Sequence, residues 1–170
     1  NVTIAGTIQN TTNFRTNNNA GVTLTGTLPI NQNGFFYRKA GTITGGTITY
    51  SATGTTLVYE GTTAMTTSSN EWPTVNPPIN LELNTSNVIS LHATRSLGTT
   101  GVFTETSGVL SLGAFDLNLT NNNAGALVNA APGAGNMIAA DGAGQLLRAI
   151  GTGATNLFFY IGDLTGTAEY

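Results

Sequence analysis

The stretch Ile79-Asn-Leu-Glu-Leu83, Val88-Ile-Ser-Leu91, Arg95-Ser-Leu97, Val102-Phe-Thr104, Gly108-Val-Leu-Ser-Leu112 and Phe115-Asp-Leu-Asn-Leu119 packs six short segments into about forty residues. Apolar and polar side chains alternate within them, the pattern of strands with one buried and one solvated face. The turn residues between them, Gly98-Thr-Thr-Gly101 and Ser107-Gly108, leave no room for the helical crossovers of an α/β sheet. Two architectures fit: a parallel β-solenoid coiling through short faces and corners, and an antiparallel β-sandwich.

Outward from this core the same rhythm continues. Val2-Thr-Ile4, Val22-Thr-Leu-Thr25, Thr42-Ile-Thr44 and Thr47-Ile-Thr-Tyr50 all alternate. Gly26-Thr-Leu28, Gly41-Thr-Ile43, Gly46-Thr-Ile48 and Gly108-Val-Leu110 recur as if one rung were repeated with drift. NNNAG occurs twice, at 17–21 and 121–125, where Asn and Gly suit tight corners. Helix is poorly supported, because Gly and Pro interrupt the one Ala-rich stretch, 124–150. The strands are shorter than sandwiches usually employ, and neutral Thr, Asn and Ser faces can stack without repulsion. The expected fold is therefore an all-β parallel solenoid (β-helix), a single module over 1–170, with the antiparallel sandwich as the alternative. Rungs of roughly 20 residues would give about seven to nine of them.

Composition narrows the function. Of 170 residues, 31 are Thr, 22 Gly and 20 Asn, whereas only 8 % are charged. Five Lys and Arg against eight acids, a net charge of -3, do not provide the positive patch that a nucleic-acid partner requires. There is no cysteine, which removes thiolate nucleophiles and zinc or iron–sulfur ligation by cysteine. The longest apolar run, 157–161, is five residues, far too short to cross a membrane as a helix. A thiol-free, Thr/Asn/Gly-rich, weakly acidic chain fits a secreted, extracellular, cell-surface protein.

Chemistry-bearing residues are sparse. His92 is the only histidine, no Gly-x-Ser-x-Gly elbow accompanies it, and its place in a strand rhythm suggests a solvated outer position. The acids are scattered singly; a pair one rung apart, such as Glu82 and Glu105, could flank a sugar as in a polysaccharide-degrading enzyme. Asp141-Gly-Ala-Gly144 and Gly162-Asp163 read as turn caps rather than calcium loops. No catalytic residue, metal site or cofactor is expected. The cluster Phe35, Phe36, Tyr37 and Arg38 is a candidate glycan-contact patch, since aromatic faces and a cation suit sugar rings. Thr-x-Thr pairs at 23/25, 42/44 and 47/49 have the style of ice-binding rows, but break after two or three rungs. Trp72, before Pro73, Pro77 and Pro78, reads as a plug or as a hinge between 1–70 and 71–170.

The pattern Gly108-Val-Leu-Ser-Leu-Gly113, then Asn136-Met-Ile-Ala-Ala-Asp-Gly-Ala-Gly-Gln-Leu146, Phe158-Phe-Tyr-Ile-Gly-Asp163 and Gly166-Thr-Ala-Glu-Tyr170 resembles a known module over residues 70–170. It is similar to the β-helical repeat modules of large surface proteins of the Bacteroidota that leave the cell by the type IX secretion route. Tyr160 stands where that family usually has Pro. The resemblance implies a structural or adhesive module without an enzymatic centre. In that family a Val-Thr-Ile-like strand follows the tail Tyr, which implies head-to-tail self-association, as a filament or tandem array. Val2, Ile4, Phe158, Phe159, Tyr160 and Tyr170 would then form the seam. Surface glycans are the other partner class expected.

Overall fold

Branched and aromatic side chains alternating with Thr and Asn favour extended backbone, and Gly-containing corners let that backbone coil. In the computed structural model, which describes residues 2–4, 11–16, 21–152 and 156–164, the result is a β-solenoid of about 6 turns. Every pairing between its strands is parallel, which excludes the antiparallel sandwich. Among the described residues there is no α-helix, only a 3₁₀ turn at Ala124–Ala126 in the second NNNAG corner.

Each turn visits three faces. The first is built from Thr11–Thr16, the second half of the long strand Val22–Arg38, Thr56–Gly61, the starts of Asn80–Ser90 and Phe103–Ser111, and Leu127–Asn129. Here Phe14, Phe36, Leu57, Leu81, Phe103 and Leu127 stand in one inward row, successive members 21–24 residues apart. The second face runs from Val2–Ile4 through the starts of Val22–Arg38 and Ile43–Tyr50, then Met65–Thr66, to Asn136–Ala139 and Ile161–Gly162. The third comprises 28–30 and 47–50, then Arg95–Ser96, Leu117–Leu119 and Leu146–Arg148. Its gap is bridged at 70–72, where the Asn70 carbonyl accepts from the Ile48 amide at 2.7 Å.

The turn is longer than the 20 residues expected and the number of turns correspondingly smaller. Corners explain this: Leu110 and Ile138, adjacent on the second face, are separated by 28 positions because long corners, 120–126 and 130–135, flank the short first-face strand Leu127–Asn129. The separate strands expected at 79–83 and 88–91, and at 102–104 and 108–112, are each one continuous strand, Asn80–Ser90 and Phe103–Ser111. The chain bends between faces through register shifts around Asn84 instead of breaking into a turn.

One interior cluster fills the coil, with Leu57, Leu81, Leu83, Ile89, Phe103, Leu110 and Ile138 fully buried. Phe14 and Phe36 stack with ring centres 5.6 Å apart. Trp72 is also fully buried and its Nε1 donates to the Ser96 carbonyl at 3.3 Å. It is an interior plug and not a hinge, because the ladder passes it unbroken, from Leu57 to Leu81. Glycine is required where coils touch at a corner: a Cβ on Gly46 would lie 1.8 Å from the Gly26 carbonyl oxygen. The recurring Gly-Thr-Leu/Ile elements thus mark corners, Gly26 and Gly46 before the third face, Gly41 and Gly108 before the second.

Candidate functional site

Strand alternation divides the aromatic segment. Phe36 and Arg38 point into the coil at 1 % and 2 % exposure, so neither can touch a glycan. This corrects the four-residue patch, since a period of two necessarily sends alternate members to opposite sides. Phe35 and Tyr37 remain outside, half-buried, with rings stacked at 5.7 Å and 19°. Beyond Tyr37 on the outer side come Val58 and then Glu82 in register. The Glu82 carboxyl is raised above its ordinary range, first by burial and then by the charge of Glu60.

Arg38 instead crosses the interior to Glu71. Its Nη1 donates to Glu71 Oε1 and, at 2.8 Å, to the Thr66 carbonyl; Nη2 donates to the Gly41 carbonyl at 2.6 Å. Glu71 is completely buried and also accepts from the Ser68 hydroxyl, the Ser68 amide at 2.7 Å and the Tyr59 hydroxyl at 3.2 Å. Tyr50 donates to the Glu71 carbonyl at 2.8 Å. Burial, reinforced by the Glu71 carboxylate, raises the pKa values of both tyrosines well above 10, keeping them neutral donors. One ion pair thereby ties all three faces of adjacent turns together.

The next turn carries a second cation. Arg95 occupies an inward register position beside Leu117 and is 3 % exposed. Its Nη2 donates to Ser69 Oγ at 2.8 Å and to His92 Nε2 at 2.6 Å, while Thr67 Oγ1 lies 2.7 Å from His92 Nδ1. A guanidinium can only donate, so Nε2 carries the lone pair and Nδ1 the proton. His92 is half-buried rather than the solvated residue expected. Burial and then the Arg95 charge lower its pKa, favouring neutral imidazole.

Glu105 does not pair with Glu82. Leu83 is its register partner, so Glu82 faces out and Glu105 faces in, fully buried. Asn129 Nδ2 donates to Glu105 Oε2 at 2.9 Å, Asn129 Oδ1 accepts from Asn136 at 3.0 Å, and Glu105 Oε1 has no partner. Burial raises the Glu105 carboxyl to about 8, only partly offset by the Asn129 hydrogen bond. No group of three or more His, Asp or Glu that could hold a metal occurs among the described residues. Asp141 caps a turn, accepting from the Leu164 amide at 2.9 Å. The Thr23 and Thr44 hydroxyls meet at 3.1 Å on the outer second face.

The last turns differ from the rest. Of seven exposed large hydrophobic residues among the described ones, six lie in 128–164: Val128, Leu147, Ile150, Phe158, Phe159 and Leu164. Phe158 stacks on Tyr160 at 6.0 Å, and the Arg148 guanidinium sits 5.5 Å from the centre of the Phe159 ring. Of the expected seam, Phe158 and Phe159 are exposed, whereas Tyr160 packs partly against the core. Val2–Ile4 pairs in parallel with 22–24, with only backbone described there, and Tyr170 lies outside the described residues.

Fold and sites together define a three-faced parallel β-solenoid whose apolar interior carries a buried ion pair, with exposed apolar side chains over its last turns. No family model matches the chain, and comparison with curated proteins and with solved structures gives no significant similarity.

Proposed function

We propose that this chain is a structural module of a secreted cell-surface protein, of adhesin or filament type, that associates end to end with further copies of itself. The observation that carries this reading is the concentration in 128–164 of six of the seven exposed large hydrophobic residues among the described ones. A concentration of exposed apolar side chains of this kind suits an interaction site. The outermost coil of a parallel ladder also leaves backbone N–H and C=O groups for an incoming strand, so the first turn of a second copy is a fitting cover. The similarity of 70–170 to type IX-exported surface modules points the same way, and this reading assigns no catalytic or cofactor chemistry.

Sedimentation velocity combined with electron microscopy tests it. The wild-type chain is expected to form end-to-end assemblies that lengthen with concentration. Phe158→Asp with Phe159→Asp is expected to weaken association by at least about tenfold. A wild-type protein that remains monomeric at high concentration would overturn the proposal.

One observation favours a second reading, glycan contact. The Phe35–Tyr37 pair presents stacked rings on the outer first face, a geometry suited to sugar rings. Glycan-array binding that disappears in Tyr37→Ala is the expected result on that reading; unchanged binding, or none, refutes it.

A further inference from the structure

Three successive corners between the third face and the first enclose a cleft of about 330 Å³. Ala52 comes from one turn, Asn76, Pro77 and Ile79 from the next, and Thr99 and Thr100 from the one after. Two coil spacings separate the outermost of these corners, so the cleft runs about 10 Å along the solenoid. Its volume falls in the range of small-molecule sites, about 300–1,000 Å³.

The corners are fixed in place by their own backbone. The Asn76 carbonyl accepts from the Tyr50 amide at 3.2 Å, and the Gly98 carbonyl from the Gly101 amide at 2.8 Å. Asn76 has a φ of 54°, in the left-handed region, and Pro77 after it restricts the chain further. Gly98 keeps the cleft open, because a Cβ there would lie 2.5 Å from Ile79 Cδ1.

The chemistry of the lining is neutral and mixed. It contains no Asp, Glu, Lys or Arg. Asn76, Thr99 and Thr100 are exposed, and their side chains make no hydrogen bond with another described residue. Half-buried Pro77 and Ile79 place aliphatic surface beside them. Unused hydroxyl and amide groups next to aliphatic surface match a sugar ring, which has hydroxyls at its edge and C–H groups on its face. An acidic ligand would find no cation in this lining. An extended peptide would need free ladder groups, and the amides of Tyr50, Ser51, Gly98 and Gly101 are already bonded to carbonyls.

We propose that this cleft binds a short segment of a neutral oligosaccharide, with Asn76, Thr99 and Thr100 hydrogen-bonding its hydroxyls above the aliphatic floor of Pro77 and Ile79. The site is separate from the Phe35–Tyr37 pair on the outer first face and from the apolar side chains of the last turns. It would let a module that assembles through its ends hold a glycan on its side.

Isothermal titration of the whole chain with maltotriose, cellotriose, mannotriose and triacetylchitotriose tests the proposal, with trigalacturonate as the acidic control. One saturable site is expected for at least one neutral sugar and none for trigalacturonate. Ala52→Trp, which fills the cleft from an exposed position, is expected to abolish binding. Asn76→Gly tolerates the left-handed backbone while removing the amide, and is expected to weaken binding by about tenfold. Should Ala52→Trp fail to fold, Asn76→Gly decides alone. Tyr37→Ala is expected to leave the titration unchanged; loss of binding in that variant would move the site to the outer first face and refute this placement. Absence of saturation with every neutral sugar, equal binding of trigalacturonate, or binding undiminished in both cleft variants overturns the proposal.

Discussion

Glu71→Gln is expected to destabilise the protein by about 3–5 kcal/mol, because it strands the Arg38 guanidinium in an interior that water does not reach. The carboxylate accepts from Arg38, Tyr59 and both the amide and hydroxyl of Ser68. Glutamine retains one acceptor oxygen and presents an amide donor to groups that are themselves donors. Chemical denaturation with an unchanged denaturant slope is the measurement, and the double variant Arg38→Met with Glu71→Leu is its control. Removing both charges is expected to recover most of the loss, since paired apolar replacements of buried ions are often neutral. A loss below about 1 kcal/mol for the single variant would place the pair among weak, solvent-screened ones and refute the interior role assigned to it.

The second large effect is a dependence on pH. The Glu105 carboxyl is raised from 4.5 to about 8 in the folded protein, with burial the dominant cause. Between these two values the folded state keeps a proton that the unfolded chain releases. Its contribution to stability is thus fully present below about pH 4.5 and is lost as pH rises toward 8, by an amount on the order of 4–5 kcal/mol. His92 shifts the opposite way, its lowered pKa favouring the folded state as pH rises through the ordinary histidine range, and Glu82 shifts with Glu105. The difference between wild type and Glu105→Gln cancels those shared contributions. The wild type's unfolding free energy is expected to fall relative to that of the glutamine variant as the pH climbs across this range, because the wild type loses stability that the variant, which has no proton to release, does not lose. Parallel curves would show that Glu105 titrates alike in both states and is therefore hydrated.

Much of the fold was legible because its signals are local. Val22-Thr-Leu24 and Leu81-Glu-Leu83 alternate with the period that a pleated strand imposes, and Gly46 and Gly108 mark corners that larger residues could not occupy. The candidate sites were only partly legible. Alternation within Phe35-Phe-Tyr-Arg38 was enough to divide the four residues between the two sides, but not to show which side was interior. Singly scattered acids and arginines, the usual mark of solvated surface, gave no sign of an interior ion pair. Arg38 and Glu71 lie 33 positions apart and in different faces. Likewise, Thr67, Ser69, His92 and Arg95 become neighbours only because the second and third faces of consecutive turns meet at one corner.

The residue order by itself determined an all-β chain of short alternating strands with neutral hydroxyl and amide faces and glycine corners, since these are properties of neighbouring residues; the parallel pairing that excludes a sandwich came from the tertiary structure. Only the tertiary structure decided that Arg38, Glu71, Arg95 and Glu105 lie inside and which partners each has. That depends on how many residues every turn consumes, 21–24 between successive members of the first-face inner row. A change of one residue in a corner would bring a different side chain into line and reverse its side of the sheet.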